Sequence, residues 1–213
     1  MGIDVKICGL STPEAVKAAA AGGARYIGFV FFPPSPRFVK PAVAAELGGY
    51  APGSVIRVGL TVDADDAALA GIVADACVER LQLHGRETPE RVAEVRRSFG
   101  LPVIKALPIA GADDVAAARA YEDVADMLLF DARPPAGADR PGGNALSFDW
   151  RLLADAKWRL PWMLAGGLTA ANLAEAVHQS GAGTVDVSSG VEDQPGVKDI
   201  LKIQEFLRMA ERC

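Results

Sequence analysis

The sequence predicts an α/β protein, a single (β/α)8 barrel with parallel strands over residues 1–213. Eight short apolar runs alternate with Ala-rich helical stretches along the whole chain. The runs are continuously apolar and rich in β-branched and aromatic residues, as in strands that are buried on both faces of a parallel sheet. Each strand–helix unit takes roughly 27 residues, about the sum of one strand, one helix and two short loops.

The eight apolar runs are predicted to form the strands of the barrel. They are Ile3–Cys8, Tyr26–Phe31, Val55–Val62, Arg80–His84, Val103–Leu107, Met127–Asp131, Trp162–Ala165 and Thr184–Ser188. No Gly-rich dinucleotide fingerprint follows the first run, which favours a closed barrel over an open doubly wound sheet. No shift in composition and no linker divides the chain, so we expect one domain.

The helices between the strands carry their own boundary signals. Thr12-Pro13-Glu14 and Thr88-Pro89-Glu90 each place a Thr N-cap before a Pro at the first helical position. Gly22-Gly23 is predicted to end the first helix. Three further helices are predicted to begin after caps at Asp63, Asp149 and Thr169.

Composition and charge exclude several classes of protein. Half of the residues are hydrophobic and 23% are charged, which is unlike a disordered chain. The longest apolar block, Tyr26–Pro34, is shorter than the ~18 residues that a membrane-spanning helix needs. The net charge of -5 argues against a general nucleic-acid surface. We therefore expect neither nucleic acid nor membrane as a partner, although an anionic small-molecule substrate could still bind through a local arrangement of donors.

The cysteines indicate a reducing compartment and no metal site. Cys8, Cys77 and Cys213 cannot all pair within one chain, and with only two histidines they fit no zinc pattern. The N-terminal segment lacks the long apolar region of a signal peptide. We expect a cytoplasmic protein, a monomer or a homodimer, that uses neither metal nor cofactor.

Polar residues gather where the predicted strands end, which is the working face of a barrel. Alternation along the first strand turns Lys6 and Cys8 towards the barrel interior, and the same argument turns Asp131 inward on the sixth strand. A thiol and a carboxyl on opposite rims could serve as a base and an acid. Taken alone, however, Cys8 is typical of a small buried hydrophobe. Asp131 alone could be a cap or an ion-pair partner.

The ends of the last two strands predict a phosphate site. Gly166-Gly167 follows the seventh strand, and Ser188-Ser189-Gly190 follows the eighth. Small residues release backbone N–H groups towards an anion, and barrels commonly bind phosphate at these two strand ends.

Three other features have open interpretations. Arg37 follows Pro33-Pro34-Ser35-Pro36, a stiff loop that suits capture of a carboxylate, but it could also be a solvated surface residue. His84 is either a ligand contact or a hydrogen-bonded core residue. The stretch Ala132–Ser147 is longer and richer in Pro and Gly than a connection requires, which is consistent with a mobile active-site loop.

Together these motifs resemble phosphoribosylanthranilate isomerase of tryptophan biosynthesis. The resemblance runs in order along essentially the whole chain, through KICG, SPR, LQLHG, LLFD, LAGGL and DVSSGVE. Members of that family are (β/α)8 barrels without a cofactor that carry out an Amadori rearrangement of an aminoaldose to an aminoketose. One departure is FFPPSPR, which has two prolines where members often have one followed by a basic residue.

The resemblance implies a role for each candidate residue. It makes Cys8 the general base and Asp131 the general acid. It makes Arg37 the residue that holds the anthranilate carboxylate. The phosphate would be held by Gly166, Gly167, Ser188, Ser189 and Gly190. We add His84 as a substrate contact, and we expect Lys6 to lower the pKa of the Cys8 thiol.

Two other functions compete with this interpretation. A related aminoaldose isomerase of the histidine pathway would use two aspartates, so Cys8 on the first strand argues against it. A catalytically silent phosphate-binding protein on the same scaffold would keep the last two loops and lose the acid or the base. Cys8 and Asp131 are both present.

Overall fold

The computed structural model describes residues 2–133, 142 and 147–213. Its eight parallel strands close into a barrel in chain order, and β8 pairs back onto β1. The strands are β1 (Asp4–Cys8), β2 (Tyr26–Val30), β3 (Ile56–Thr61), β4 (Arg80–Leu83), β5 (Val103–Ile109), β6 (Met127–Ala132), β7 (Trp162–Leu164) and β8 (Thr184–Val187). The predicted (β/α)8 class is confirmed.

Helices surround this barrel. They are α1 (Pro13–Ala21), α2 (Pro41–Gly48), α3 (Asp66–Asp75), α4 (Pro89–Phe99), α5 (Ala112–Ala118), α6 (Leu173–Ser180) and α7 (Ile200–Ala210). Between β6 and β7 the described residues contain a short 3-10 helix, Trp150–Leu153. A small antiparallel hairpin, β9 (Glu192–Gln194) and β10 (Val197–Lys198), stands between β8 and α7.

The apolar runs are continuous because both faces of each strand are buried. On β6, Leu129 belongs to the cluster inside the barrel, whereas Phe130 packs between the strands and the outer layer. The Phe130 and Trp158 ring centroids are 4.7 Å apart in that layer. The predicted inward and outward faces of β6 are therefore confirmed, and Asp131 has the same parity as Leu129.

Most of the predicted helix boundaries are found. Thr12 Oγ1 accepts a hydrogen bond from the Ala15 N–H at 3.3 Å, and Thr88 caps α4 in the same way. Gly22 ends α1, and Asp149 caps the 3-10 helix.

Two predicted caps are wrong. Asp65 rather than Asp63 caps α3. Asp63 has a left-handed backbone (φ 47), and its Oδ1 accepts from the Arg86 N–H in the next loop. Thr169 does not cap α6 either, since that helix begins only after Asn172. In both places the chain needs more residues to turn from the barrel rim into the helix than the cap pattern alone indicates.

Strand ends differ from the prediction by small amounts. β5 and β6 run on to Ile109 and Ala132, past the predicted ends, because the two strands pair with each other over that extra length. The predicted active-site loop Ala132–Ser147 lies mostly outside the described residues. None of the helices in the described ranges is long and apolar enough to cross a bilayer.

Candidate active site

A cleft of about 800 Å³ opens at the carboxyl ends of the strands. Every residue that the sequence nominates lines this one cleft. These residues are Cys8, Arg37, His84, Asp131, Gly166, Gly167, Ser188, Ser189 and Gly190. The loops of β1, β2, β4, β6, β7 and β8 thus converge on one place.

Cys8, at the end of β1, lies above a buried ion pair. Lys6 Nζ is 2.8 Å from Asp186 Oδ1, and Lys6 is wholly inaccessible to solvent. Register places Lys6 directly opposite Asp186 across the β1–β8 seam. Gly28 on β2 leaves the space next to it open, since a Cβ there would lie 3.0 Å from Cys8 Sγ and 3.1 Å from Lys6 Nζ. The thiol and the ammonium group are therefore neighbours inside the barrel.

Burial dominates the ionisation of this thiol. Desolvation raises the pKa of Cys8 above its ordinary value, and the Asp186 charge acts in the same direction. Lys6 and Lys198 lower the pKa of Cys8, but by less. The expected effect of Lys6 on the thiol therefore has the predicted direction, but burial, helped by the Asp186 charge, outweighs it and leaves the pKa of Cys8 raised.

Asp131, at the end of β6, is held from two sides. Its Oδ1 accepts from the Ala132 N–H at 2.8 Å, and its Oδ2 lies 3.3 Å from His84 Nε2. Gln82, one step down the interior of β4, donates from Nε2 to His84 Nδ1 at 2.8 Å. With Nδ1 as the acceptor, the neutral ring carries its proton on Nε2, facing Asp131. His84 is therefore both a lining residue of the cleft and a partner of Asp131.

Arg37 is buried, so a solvated surface arginine is excluded. Its Nε and Nη2 donate to the two carboxylate oxygens of Glu192, both at 2.7 Å. Gly9 allows the arginine stem to pass the end of β1, because a Cβ at Gly9 would lie 2.6 Å from Arg37 Cδ. The ion pair with Glu192 occupies the Nε–Nη2 edge of the guanidinium, and Nη1 takes no part in it. Arg37 also lines the cleft.

The loops after β7 and β8 touch each other. Gly166 and Gly167 both adopt positive φ angles, 91° and 63°. At Gly190 an added Cβ would lie 1.8 Å from the Leu168 carbonyl oxygen, so only glycine fits there. Ser188 Oγ donates to the Cys8 carbonyl at 3.1 Å, which ties the second loop to the end of β1. These two small-residue turns form one continuous wall of the cleft.

Sequence reasoning missed the residues that support this site. Glu192 binds Arg37 from a position 155 residues away, and Asp186 binds Lys6 across 180 residues. Both acids stand in the DVSSGVE motif, which marked the region without revealing the partners. Gln82 stands in LQLHG in the same way.

Comparisons with known proteins agree with this geometry. The model of the family described as N-(5'phosphoribosyl)anthranilate (PRA) isomerase matches residues 5–209. The N-(5'-phosphoribosyl)anthranilate isomerase of Paramagnetospirillum magneticum is 58% identical over 210 residues, which are 99% of this chain and 98% of that protein. A relative of the same name from Cereibacter sphaeroides is 56% identical over 98% of this chain and 99% of its own.

Solved structures are similar over the whole barrel. The phosphoribosyl anthranilate isomerase of Thermotoga maritima has a TM-score of 0.88 and 31% identity, and the match covers 99% of this chain and 100% of that one. A structure of the same enzyme type in complex with reduced 1-(o-carboxyphenylamino)-1-deoxyribulose 5-phosphate has a TM-score of 0.85 and 30% identity, with the same coverage. The family match, the close relatives and the converging cleft residues lead to one conclusion: the chain belongs to the N-(5'-phosphoribosyl)anthranilate isomerase family.

Proposed function

We propose that Cys8 and Asp131 are the base and the acid of an isomerase whose single catalytic domain spans residues 1–213. The protein converts N-(5'-phosphoribosyl)anthranilate, an aminoaldose, to 1-(o-carboxyphenylamino)-1-deoxyribulose 5-phosphate, an aminoketose, in tryptophan biosynthesis. The observation that supports the two roles best is the shared cleft: a thiol from β1 and a carboxyl from β6 line it together with Arg37 and the paired small-residue turns.

The reaction requires an acid before it requires a base. In the substrate the anthranilate nitrogen is attached to C1 of a phosphorylated furanose. Protonation of the ring oxygen by Asp131 breaks the C1–O bond, and the nitrogen lone pair forms an iminium at C1. That iminium acidifies the C2 hydrogen. Cys8, as the thiolate, removes this proton, and the electron pair of the C–H bond moves to C1–C2 to give an enolamine.

Tautomerisation of the enolamine completes the isomerisation. The C2 hydroxyl loses its proton as C1 gains one, and the product is the C2 ketone. No atom is gained or lost between substrate and product, and no electrons leave the molecule. The side chains therefore need only to move protons and to hold the open-chain intermediate.

His84 is proposed to orient Asp131 while it lines the cleft. The Gln82–His84 hydrogen bond fixes the ring, and its Nε2 lies 3.3 Å from Asp131 Oδ2. A carboxyl group fixed in this way stays oriented for proton transfer to the ring oxygen of the substrate.

Two groups are proposed to bind the ends of the substrate. The free end of the Arg37 guanidinium takes the anthranilate carboxylate, since a planar fork matches a carboxylate. The turns at Gly166-Gly167 and Ser188-Ser189-Gly190 take the phosphate. This arrangement places the sugar between Cys8 and Asp131.

The test is a fluorescence assay that follows loss of phosphoribosylanthranilate with purified protein. We expect turnover by the wild type, and loss of turnover in Cys8→Ser, with Cys77→Ser as the matched control on an exposed thiol. Turnover of the histidine-pathway aminoaldose in place of this substrate would support the competing isomerase. Tight phosphate binding without turnover would support the silent scaffold.

We also propose that the protein works in the cytoplasm as a monomer or a homodimer. One structure with the same fold, at 30% identity, is of monomers generated from the dimeric phosphoribosylanthranilate isomerase of Thermotoga maritima. Sedimentation equilibrium of the purified protein distinguishes the two states.

A further inference from the structure

The hairpin β9–β10 carries two buried charges that do not line the cleft. The side chains of Glu192 and Lys198 are 4% and 2% exposed, and Lys198 Nζ lies 2.7 Å from Glu192 Oε1. Burying such charges is costly unless they are paired and hydrogen-bonded. Both charges are paired and hydrogen-bonded here, so the hairpin holds them in defined positions.

Each of the two charges reaches a different anion-binding element. Glu192 holds Arg37 through two hydrogen bonds of 2.7 Å. Lys198 Nζ donates to the Ser188 carbonyl at 2.9 Å and to Ser188 Oγ at 3.2 Å. An unbroken chain of contacts thus runs from the guanidinium, through the hairpin, to the turn that follows β8.

The hairpin also packs closely against the backbone of the loop that carries Arg37. At Gly196, in the hairpin turn, an added Cβ would lie 2.5 Å from the Pro36 carbonyl oxygen. The hairpin turn therefore packs against the residue that precedes Arg37, while Glu192 binds the guanidinium. With Lys198 and Arg37 against Glu192, the cluster keeps one net positive charge beside the cleft.

We propose that Glu192 and Lys198 are positioning residues that lock Arg37 and the Ser188 turn into one buried unit, and so set the distance between the two anion-binding elements of the cleft. This unit selects a substrate that carries a carboxylate and a phosphate at that separation. The proposal rests on the proposed role of Arg37 in binding the carboxylate. Neither hairpin residue touches the substrate, so each acts only through its partner.

The variant Glu192→Asp tests the proposal, because it keeps the buried negative charge and shortens the side chain by one methylene. The guanidinium must then move or lose a hydrogen bond. We expect the reduced product analogue, which carries both anions, to bind roughly 10–100-fold more weakly, as for a misplaced charged hydrogen bond. Inhibition by inorganic phosphate, which needs only the phosphate turns, should change less than about twofold by the same argument. Glu205→Asp, on an exposed glutamate of α7, is the matched control and should change neither value.

A double-mutant cycle separates positioning from general damage. In an Arg37→Gln background, Glu192→Asp should have no further effect on analogue affinity, since its only route to the carboxylate has been removed. Equal loss of phosphate and analogue binding, or additive losses in the cycle, would overturn the proposal. If Arg37→Gln alone leaves analogue affinity unchanged, the proposed role of Arg37 fails first.

Lys198→Met provides a second route if Glu192→Asp does not fold. It keeps the length of the stem and removes the three donors that hold Ser188 and Glu192. Here phosphate inhibition should weaken along with analogue binding, because the Ser188 turn loses its tether. Unchanged phosphate inhibition in folded Lys198→Met, with folding checked by circular dichroism and thermal melting, contradicts the proposal.

Discussion

Lys6 Nζ lies 2.8 Å from Asp186 Oδ1, and this buried pair lies next to the Cys8 thiol at the cleft, which Asp186 also lines. Asp186 shares the Lys6 charge and so limits how far Lys6 can stabilise a thiolate. Burial lowers the pKa of Lys6, but the Asp186 carboxylate, together with the nearby Cys8 sulfur, outweighs it, so that the pKa of Lys6 is raised. The ammonium group is thus a permanent partner of the thiol across the neutral range.

The first prediction concerns the ionisation of Cys8. Burial and Asp186 raise the pKa of Cys8 while Lys6 and Lys198 lower it, with a net rise. A raised pKa keeps the proton on at neutral pH, so the rate of alkylation by iodoacetamide should climb about tenfold per pH unit and level off above the ordinary thiol pKa of about 8.5. The measurement is mass spectrometry of Cys8 in a Cys77→Ser/Cys213→Ser background. A plateau already at neutrality contradicts the prediction.

Replacement of Cys8 should abolish turnover and spare binding. A general base contributes roughly 10²–10⁴-fold, and neither Ala nor the un-ionised hydroxyl of Ser can replace the thiolate. Cys8→Ala and Cys8→Ser should therefore lose at least about 10²-fold in kcat. The dissociation constant of the reduced product analogue, measured on the same folded preparations, should stay near the wild-type value. If Cys8→Ala keeps more than about a tenth of wild-type kcat, the thiol is structural.

Asp131→Asn should block ring opening, the step that precedes proton removal by Cys8. The amide can still accept from the Ala132 N–H through its oxygen, so the local geometry survives. It cannot give up a proton to the ring oxygen, and kcat should fall by roughly 10²–10⁴-fold. Rapid-quench analysis should show unopened substrate accumulating on this variant. Normal ring opening with blocked proton removal would assign the acid elsewhere.

His84 should affect kcat more than KM. An Asn at this position reaches the donor of Gln82 but not Asp131, whereas a Gln places its amide where Nε2 was. We expect His84→Asn to lower kcat by about 10-fold or more, as for a lost polar contact with a charged group, and His84→Gln to recover most of it. Steady-state measurement of kcat and KM for the two variants tests this expectation. Equal losses in both, mainly in KM, would make His84 a substrate contact only.

Arg37 should control KM. The carboxylate does not change during the reaction, so its partner binds substrate and transition state alike. Arg37→Lys keeps the charge near Glu192 and removes the fork, and KM should rise by roughly 10–100-fold with a modest fall in kcat. Arg37→Ala is a poorer test, since it removes one of the two cations that hold the buried Glu192 carboxylate and so lowers stability as well as binding. An unchanged KM in Arg37→Lys excludes the assignment.

The barrel was predictable because its signals are local. Continuous apolar runs, Thr-Pro-Glu helix starts and the two-residue period of strands determine the class and the inward face of Lys6, Cys8 and Asp131. Where two signals competed within a few residues, as at Asp63 and Asp65, local pattern was insufficient. The path of the loop over the barrel rim decides which acid meets the helix.

The partners of the site residues were not predictable because they are long-range. Nothing near Arg37 in the sequence indicates Glu192, and nothing near Lys6 indicates Asp186. Those pairs exist only because β8 closes against β1. A sequence motif marks that a residue matters, while its contacts depend on closure of the whole barrel.

The seam between β1 and β8 also determines when the site can form during synthesis. A nascent chain that has left the ribosome as far as β7 already holds Cys8 and Asp131. It still lacks Asp186, the Ser188 turn and the hairpin, so Lys6 has no counter-charge and Arg37 has no anchor. A chain that stops before residue 186 therefore lacks the counter-charge of Lys6, the Ser188 turn and the anchor of Arg37 all at once.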